Sequence, residues 1–418
     1  MKKLLKVIIV FMLIYVGVTF AAGFYVKHEH DKLLTMMEQD LTGYGLKIVE
    51  QSYKQGLLVS QSHVVVALPV NALLEKQVYL NINSDIRSGP WLGGAEFGIG
   101  KVDTVVFPSS DEVLQSALKF WQGQNIATSQ TLIGFSLNRR NQTNILPLQY
   151  SDEKVSIDFR GGAGQIDHSF VSFSFPYYEH REGDGKATIE GVRFQANANA
   201  GNTTFNGVLS VEQIVVMNVM NGGRTVNISD VFLDMRNEHL LGNMLNSQMK
   251  GRMLLAEGEE SARFEMDYEI QNIYEPAMKQ LRNMQASTVS YSEIGNEEMN
   301  GVLLRLLVER PRMKLNLSLT QGGKTAYIRS NFSVDELSST DRLSRNAGLL
   351  VLTRGRAHAE VKVPRVMMES GLFTEDTRLI VGNWLQSKLL LEDGANYVGE
   401  YTYGNQTLMV NKQQVSLF

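Results

Sequence analysis

The feature that most constrains the fold is a strict alternation of apolar and polar residues along several segments. In the longest example, from Ala262 to Gln271, every second residue is apolar, and Met313–Leu319 repeats the pattern. Successive side chains of a strand point to opposite faces, so this period of two predicts strands with one buried face. Shorter alternations occur at Val155–Phe159, Phe170–Phe175, Ala357–Val363 and Tyr397–Tyr403. Such strands are typical of antiparallel sheets with one wetted face.

Turn sequences separate these strands. Gly183-Asp184-Gly185, Asn221-Gly222-Gly223 and Gln321-Gly322-Gly323 are typical of hairpins, because glycine and asparagine tolerate the positive φ of tight turns. Between strand and turn signals, Tyr177–Glu182 is interpreted as a loop after Pro176. The chain is therefore predicted to be mainly β (α+β), with extended antiparallel sheets and a few peripheral helices.

The expected helices have apolar residues at helical spacing. Ser109 and Glu112 are spaced as a capping box before an apolar stripe that ends at Trp121. Further helices are predicted near Leu240–Met249, Glu275–Gln285, Glu297–Glu309 and Glu375–Leu390.

A different pattern occupies the N-terminus, where twenty uncharged, mostly apolar residues run from Val7 to Val26. Twenty helical residues rise about 30 Å, the thickness of a bilayer's hydrocarbon core, so the run predicts a transmembrane anchor. Residues spaced along this anchor are Val7, Phe11, Ile14, Phe20 and Val26. Leu33, Leu34, Met37 and Leu41 then recur at helical spacing, which predicts a short juxtamembrane helix over residues 27–43.

A cleavable signal peptide is the alternative interpretation, and Ala21-Ala22-Gly23 supplies small residues for cleavage. Phe24-Tyr25-Val26 continues the apolar run past that point, which favours an uncleaved anchor. Lys2, Lys3 and Lys6 precede the run, and positive charge next to a spanning helix stays in the cytoplasm. The bulk of the chain is then expected outside the cytoplasm.

Domain boundaries are weakly marked, with polar stretches near residues 125 and 290. After the basic tip at 1–6, the anchor at 7–26 and the helix at 27–43, we expect three regions. These are an N-terminal β-rich region (44–125), a central β-rich region (126–290) and a C-terminal α+β region that ends in a hairpin (291–418).

Three stretches resemble the YdgA-like family of bacterial envelope proteins. Tyr53-Lys54-Gln55-Gly56-Leu57-Leu58-Val59-Ser60 is similar to that family's aromatic-basic-x-Gly-hydrophobic-x-x-Ser stretch. Ser88-Gly89-Pro90-Trp91 resembles its His-Gly-Pro element, with Ser88 in place of histidine. The end of the chain, from Gly394 through Tyr397 to Asn411 and Lys412, resembles its closing hairpin, although no glycine follows Asn411.

The resemblance implies a single-pass protein of the bacterial inner membrane that faces the periplasm, in a family without an agreed activity. It transfers no catalytic residue to this chain. With serine at position 88, the Gly89-Pro90 element is interpreted as a structural turn.

The search for reactive groups finds no catalytic set, cofactor site or metal site. The chain has no cysteine, and its net charge of −4 does not favour nucleic acid as a partner. His28-Glu29-His30-Asp31 contains metal-binding residue types, but in a helix residues i and i+2 point to different faces. His168 follows Asp167 without a recognisable nucleophile nearby.

Two classes of function follow. The first is a non-enzymatic envelope protein, a scaffold or a protein that binds lipid or another protein along an apolar sheet face. Its partners would be inner-membrane lipid and, in addition, envelope proteins or a lipid ligand. The alternative is an envelope hydrolase acting on cell-wall or lipid substrates, which requires ionisable side chains to converge in one cleft.

Overall fold

The computed structural model describes most of the chain after residue 20. The described residues are 15, 18–19, 21–32, 34–35, 47–56, 58–68, 78–108, 125–151, 153, 155–167, 169–198, 205–218, 224–286, 296–342, 346–371, 373 and 375–415. It confirms the mainly β fold, since strands account for 63% of the described residues.

The chain divides into two compact units. Unit 1 comprises Met1–Tyr178 with Ala286–Thr288, and unit 2 comprises Glu179–Gln285 with Val289–Phe418. The boundary between Tyr178 and Glu179 lies inside a continuous strand, and no linker sequence marks it. The predicted regions therefore do not coincide with the units, and strands on either side of residue 125 pair with each other.

Unit 1 begins with a helix, α1, over residues 21–32, and residues 34 and 35 are also helical. Its strands are β1 (Lys47–Lys54), β2 (Val59–Leu68), β3 (Val78–Ser88), β4 (Trp91–Gly93), β5 (Glu96–Phe97), β6 (Gly100–Pro108), β7 (Ala127–Ile133), β8 (Arg139–Ile145), β9 (Leu148–Ser151), β10 (Val155–Phe159), β11 (Gly162–Asp167) and β12 (Phe170–Glu182). β12 contains the division between the units.

The main sheet of unit 1 is antiparallel throughout. Its strands pair in the order β1-β2-β3-β6-β7-β8-β11-β12, while β9 pairs with β10 and β4 pairs with β5. In such a meander, alternate connections lie at the same end of the sheet. The β1–β2, β3–β6, β7–β8 and β11–β12 connections therefore share one end, which we call the near end.

Unit 2 contains a second antiparallel meander, with several strands of 14 residues or more. Its strands are β13 (Gly185–Ala198), β14 (Phe205–Asn218), β15 (Arg224–Leu240), β16 (Met244–Glu257), β17 (Glu260–Tyr274), β18 (Arg312–Gln321), β19 (Lys324–Val334), β20 (Gly355–Pro364), β21 (Leu391–Asp393), β22 (Asn396–Gly404), β23 (Thr407–Val410) and β24 (Gln413–Val415). They pair in chain order, except that β20 pairs with β22 and β21 pairs with the start of β22.

The helices of unit 2 occur in its strand connections. They are α2 (Glu275–Ala286), α3 (Asn296–Val308), α4 (Ser339–Arg342), α5 (Ala347–Arg354), a 3-10 turn (Arg365–Glu369) and α6 (Glu375–Gln386). Leu307, Val334 and Leu350 form one buried cluster and Ala277, Met284 and Val302 another, so the core of unit 2 lies where α2, α3 and α5 meet the sheet.

Three predicted helices are confirmed as α2, α3 and α6, and the alternating segments are all strands. The prediction at Leu240–Met249 is wrong: residues 241–243 are a tight turn with Gly242 and Asn243 at positive φ, and the residues after it begin β16. The predicted loop at Tyr177–Glu182 is also wrong, because it continues β12. The hairpin at Gln321-Gly322-Gly323 is confirmed, with positive φ at both glycines. Ser109–Trp121 and Asn221–Gly223 lie outside the described residues.

The anchor prediction falls largely on residues that the structure does not describe. These are Lys2, Lys3, Lys6, Val7, Phe11, Ile14 and Phe20. Within the described part of the chain, no helix is both long and apolar enough to cross a membrane. The end of the apolar run is described as part of α1, and there Val26 is buried against protein.

Candidate functional site

Helix α1 lies on one face of the unit 1 sheet. Val26 is only 2% exposed and packs with Ile86 and Ile133, while Ala22 and Thr19 are also buried. Tyr25, Tyr53, Ile99 and Val102 surround this contact. The last turns of the predicted anchor therefore pack on the β structure.

Small residues let the helix come close to the strands. A Cβ on Gly100 would lie 2.6 Å from Val26 Cγ2, and a Cβ on Gly89 would lie 2.9 Å from Thr19 Oγ1. Gly89 also has φ +130°, a backbone conformation that favours glycine. Ser60 and Ser88 are buried, and Ser88 is the nearest neighbour of Gly23. We call this surface the helix seat.

The N-terminal motif residues singled out by the family resemblance meet at the helix seat. Tyr53 contacts the helix through Lys27, whose Nζ lies 5.6 Å from the ring centroid, and through the His30 ring at 5.4 Å. The Gly56 N–H donates to Ser60 Oγ at 3.1 Å, which holds the β1–β2 connection. Gly89 lies against the Thr19 side chain. The carbonyl of Pro90, the next residue, accepts a hydrogen bond from the Gly98 N–H at 3.3 Å.

Polar contacts fix the far half of α1. Arg139 forms an ion pair with Glu29. Burial lowers the pKa of His30 despite the nearby Asp31, whose carboxylate lies 3.7 Å from Nδ1. Nδ1 is buried without a hydrogen bond from the described residues.

A row of hydroxyl side chains continues the seat across the sheet. Ser62, Ser84, Thr104, Ser129 and Thr143 occupy paired positions on successive strands. Ser84 and Thr104 hydrogen bond at 2.8 Å, and Thr143 Oγ1 lies 3.1 Å from Ser129 Oγ. The face that α1 covers is therefore built largely from small polar side chains.

The C-terminal motif residues lie in unit 2. Asn411 and Lys412 both have positive φ, so the turn forms without the glycine of the family pattern. The Asn411 side chain accepts from the Glu400 N–H at 2.8 Å and donates to the Lys388 carbonyl at 2.8 Å. Tyr397 lies under the Arg365 guanidinium, 5.2 Å from its carbon to the ring centroid. These contacts fasten the closing hairpin and bring no reactive groups together.

The register of unit 2 sorts side chains strictly by face. Reading the partners from β13 to β20 and then β22 gives one row without a polar side chain: Phe194, Leu209, Leu233, Gly251, Met266, Leu317, Ile328, Val361 and Gly399. The next row on the same face is Ala196, Gly207, Met235, Met249, Tyr268, Leu315, Ser330, Ala359 and Tyr401. We call these two rows the apolar rows.

The row between them points to the opposite face. It consists of Gln195, Val208, Asp234, Lys250, Asp267, Asn316, Arg329, Glu360 and Glu400. Most of these residues carry a charge, so this face is suited to water. Nine strands at about 4.8 Å spacing make each row about 38 Å long.

Among the described residues of unit 2, the apolar rows are covered at β22, where Leu389 and Leu390 lie against Gly399 and Tyr401, and Ala196 in β13 is also buried. All of their Leu, Met, Phe and Tyr side chains remain partly exposed, and Ile328 is 37% exposed. Further cover lies at the ends of the strands. Phe332 and Val334 pack under α3 and α5 at one end, while Ser370 bonds Glu260 at the other. The apolar rows, which we also call the floor, thus lie between two covered margins of the sheet.

Two tyrosines of the apolar rows are partly buried. Burial raises the pKa of Tyr268 and of Tyr401, because a phenolate is poorly solvated there. The Tyr401 hydroxyl donates to the Leu389 carbonyl at 2.6 Å, so its polar atom is satisfied by unit 2 itself.

The charged face of unit 2 contains a hollow of about 930 Å³. Lys250, Arg252, Glu265, Asp267 and Arg329 line it. Arg252 is paired in register with Glu265 and Lys250 with Asp267, an arrangement in which opposite charges stabilise neighbouring strands. Ser318, Thr320 and Thr325 also line the hollow, and no histidine is among its described lining residues. Among the described residues, no group of three His, Asp or Glu side chains is placed to hold a metal ion.

Sequence reasoning missed most of the apolar rows outside β17 and β18. Met249 was assigned to a helix that does not form, and Leu233 and Met235 were not singled out. The period-two spacing of Met249, Gly251 and Met253 was the available signal.

Neither a curated protein nor a solved structure matches the chain. One family model does, over residues 1–418, and its description is a bacterial protein of unknown function (DUF945). The match confirms an uncharacterised bacterial family, although not under the YdgA-like name. The chain therefore belongs to the DUF945 family of bacterial proteins.

Proposed function

We propose that this chain is a non-enzymatic envelope protein, anchored in the inner membrane by its N-terminal run, which binds acyl chains on the apolar rows of unit 2. The bulk of the chain then lies in the periplasm. The observation that carries the proposal is the open apolar floor. Contiguous exposed apolar surface of this size marks a binding surface, because water contact with it is costly.

The chemistry of the floor favours a hydrocarbon chain over a protein as its occupant. Its first row has no hydrogen-bonding side chain, whereas protein interfaces carry polar groups around an apolar centre. Met235, Met249 and Met266 are flexible and adapt to variable shapes. Each row is about 38 Å long, whereas one leaflet of a 30 Å hydrocarbon core is roughly 15 Å thick. A row is therefore long enough for an extended acyl chain.

The anchor supports the same proposal from the sequence. A basic tip followed by an apolar run, whose last turns pack on unit 1, supports a position beside a supply of acyl chains. A protein that only needed a periplasmic scaffold would not require an uncovered apolar sheet.

The test is photo-crosslinking of the full chain in vesicles that contain phosphatidylethanolamine with a photoactivatable acyl chain. We expect crosslinks on the apolar rows, mapped by mass spectrometry of the peptides. Leu317→Glu should remove most of them, because it places a charge on the floor. Asn316→Glu is the matched control, since this neighbour points to the charged face, and it should leave the crosslinks unchanged.

Crosslinks confined to the N-terminal run would overturn acyl-chain binding by unit 2. Equal crosslinking in both variants would also contradict it. Release of the full chain from membranes by alkaline carbonate would overturn the anchor.

A further inference from the structure

The near end of the unit 1 sheet carries several large apolar side chains that the unit does not bury. Each is between 50% and 62% exposed: Leu58, Trp91, Phe97, Phe135, Leu137 and Ile166. Scattered single apolar residues are ordinary on a surface, but six at one end of one sheet are not.

The topology of the meander brings these residues together. Leu58 lies in the β1–β2 connection, Trp91 and Phe97 in the β3–β6 connection, and Phe135 and Leu137 in the β7–β8 connection. Ile166 is in the last pairs of β11, next to the β11–β12 connection. All four connections are at the near end, because the strands between them run antiparallel.

Backbone hydrogen bonds join the connections into one surface. The Ser88 N–H donates to the Leu58 carbonyl at 3.1 Å, and the Ile99 N–H donates to the Ile133 carbonyl at 2.8 Å. The Trp91 indole N–H donates to the Gly94 carbonyl at 2.9 Å. With that polar atom satisfied within the turn, the exposed part of Trp91 is chiefly its apolar ring.

Helix α1 enters the unit at this same end. Thr19 lies against Gly89, two residues before Trp91, and Val26 lies farther along the strands against Ile86 and Gly100. Thr19 therefore marks the near end as the place where α1 reaches the unit 1 sheet. In the sequence, residues 7–18 of the predicted membrane-spanning run come directly before it.

We propose that the near end of unit 1 is a membrane-contacting surface, on which Trp91, Phe97 and Phe135 enter the headgroup region of the bilayer that holds the N-terminal run. This inference rests on the anchoring part of the proposed function. Tryptophan and other aromatic residues are enriched at that depth, because it accommodates an apolar ring beside polar groups. The nearby charges are paired, Lys101 with Glu96 at 2.6 Å and Arg140 with Asp167 at 3.2 Å, which lowers the cost of approaching lipid.

Tryptophan fluorescence of the full chain tests the proposal. The chain has three tryptophans, so Trp121→Phe with Trp384→Phe leaves Trp91 as the only emitter. The matched control, Trp91→Phe with Trp121→Phe, leaves Trp384 on α6 of unit 2, which is 37% exposed. Each variant is reconstituted in vesicles of phosphatidylethanolamine and phosphatidylglycerol, with acyl chains brominated close to the headgroup.

Trp91 emission is expected to lose at least half of its intensity in brominated vesicles, whereas Trp384 emission stays unchanged. Phe97→Ser with Phe135→Ser, both at exposed positions, should reduce the quenching of Trp91 while the protein still floats with the vesicles. Flotation without quenching of Trp91 would overturn the membrane-contacting surface and leave the anchor standing. Failure to float would overturn the anchor and this surface together, but not the apolar rows of unit 2.

Discussion

The two units use their sheet faces in opposite ways. In unit 1, a face rich in Ser, Thr and Gly is covered by helix α1, and Ile86 beneath it is completely buried. In unit 2, a face of Leu, Met and Tyr stays partly exposed across its central strands. A protein that folded only to bury its own apolar surface would place its helix on the second face. Under the proposed function, the covered face positions the chain and the apolar rows bind acyl chains.

A buried charge gives the largest expected difference between the faces. Ile133→Glu would place a carboxylate under α1 without a partner and should cost about 3–5 kcal/mol of unfolding free energy in unit 1. Leu317→Glu on the apolar rows should cost less than about 1 kcal/mol, because water reaches that side chain. Denaturant titration, followed by hydrogen exchange in each unit, measures both values. Equal losses would show that the apolar rows are covered in solution.

Matched truncations of isoleucine separate the faces by a smaller amount. Ile86 is 0% exposed and Ile328 is 37% exposed. Ile86→Ala should cost about 2–5 kcal/mol, since it leaves a cavity between α1 and the sheet. Ile328→Ala should cost below about 1 kcal/mol. The same denaturant titration applies, and a larger loss for Ile328→Ala would reverse the comparison.

The closeness of α1 to the seat is tested at two glycines. Gly89→Ala adds a methyl group 2.9 Å from Thr19 Oγ1 in a strained backbone conformation, and should weaken helix packing by about 1–3 kcal/mol. Gly94→Ala is the control, because it also has positive φ but meets no atom within 4 Å. Faster amide exchange in residues 21–32 should follow the first substitution only. Equally fast amide exchange in the two variants would show that backbone strain, and not contact with Thr19, loosens the helix.

The smallest effect concerns pH. Burial lowers the pKa of His30 in the folded seat below its usual value near 6.5, so the unfolded chain binds the proton more readily. The seat is therefore fully stable above about pH 6.5 and loses stability as the pH falls through that value. Hydrogen exchange of α1 between neutral and mildly acidic pH should show this loss. His30→Gln should remove the pH dependence, and its persistence would assign the effect to another group.

Several elements could be predicted because their signals are local. The faces of β17 and β18 follow from alternation within each strand, and the turn at Gly322-Gly323 follows from its glycines. The Leu240–Met249 segment was misjudged because its apolar residues match helical spacing, while Gly242-Asn243 makes the turn.

The functional surfaces depended on information that is not local. The seat requires Thr19 to meet Gly89, some seventy residues apart, and no period in the sequence encodes that contact. The family-like motifs marked Tyr53, Gly56 and Ser60, but only the structure shows that they support a helix. Alternation also gave the apolar face of unit 2 without showing whether anything covers it, because cover depends on where the helices pack.

The register of unit 2 makes its sequence sensitive to the parity of insertions. Inserting one residue in β16 before Met249 would turn Met249 toward the charged face and Lys250 toward the apolar face, and it would reverse every later side chain of the strand. Inserting two residues would restore every orientation. The floor of the sheet can therefore lengthen or shorten during evolution in steps of two residues along any strand. Single-residue changes are expected in the hairpin turns or at bulges such as those where the register shifts between Ser229 and Phe232 and between Leu245 and Ser247.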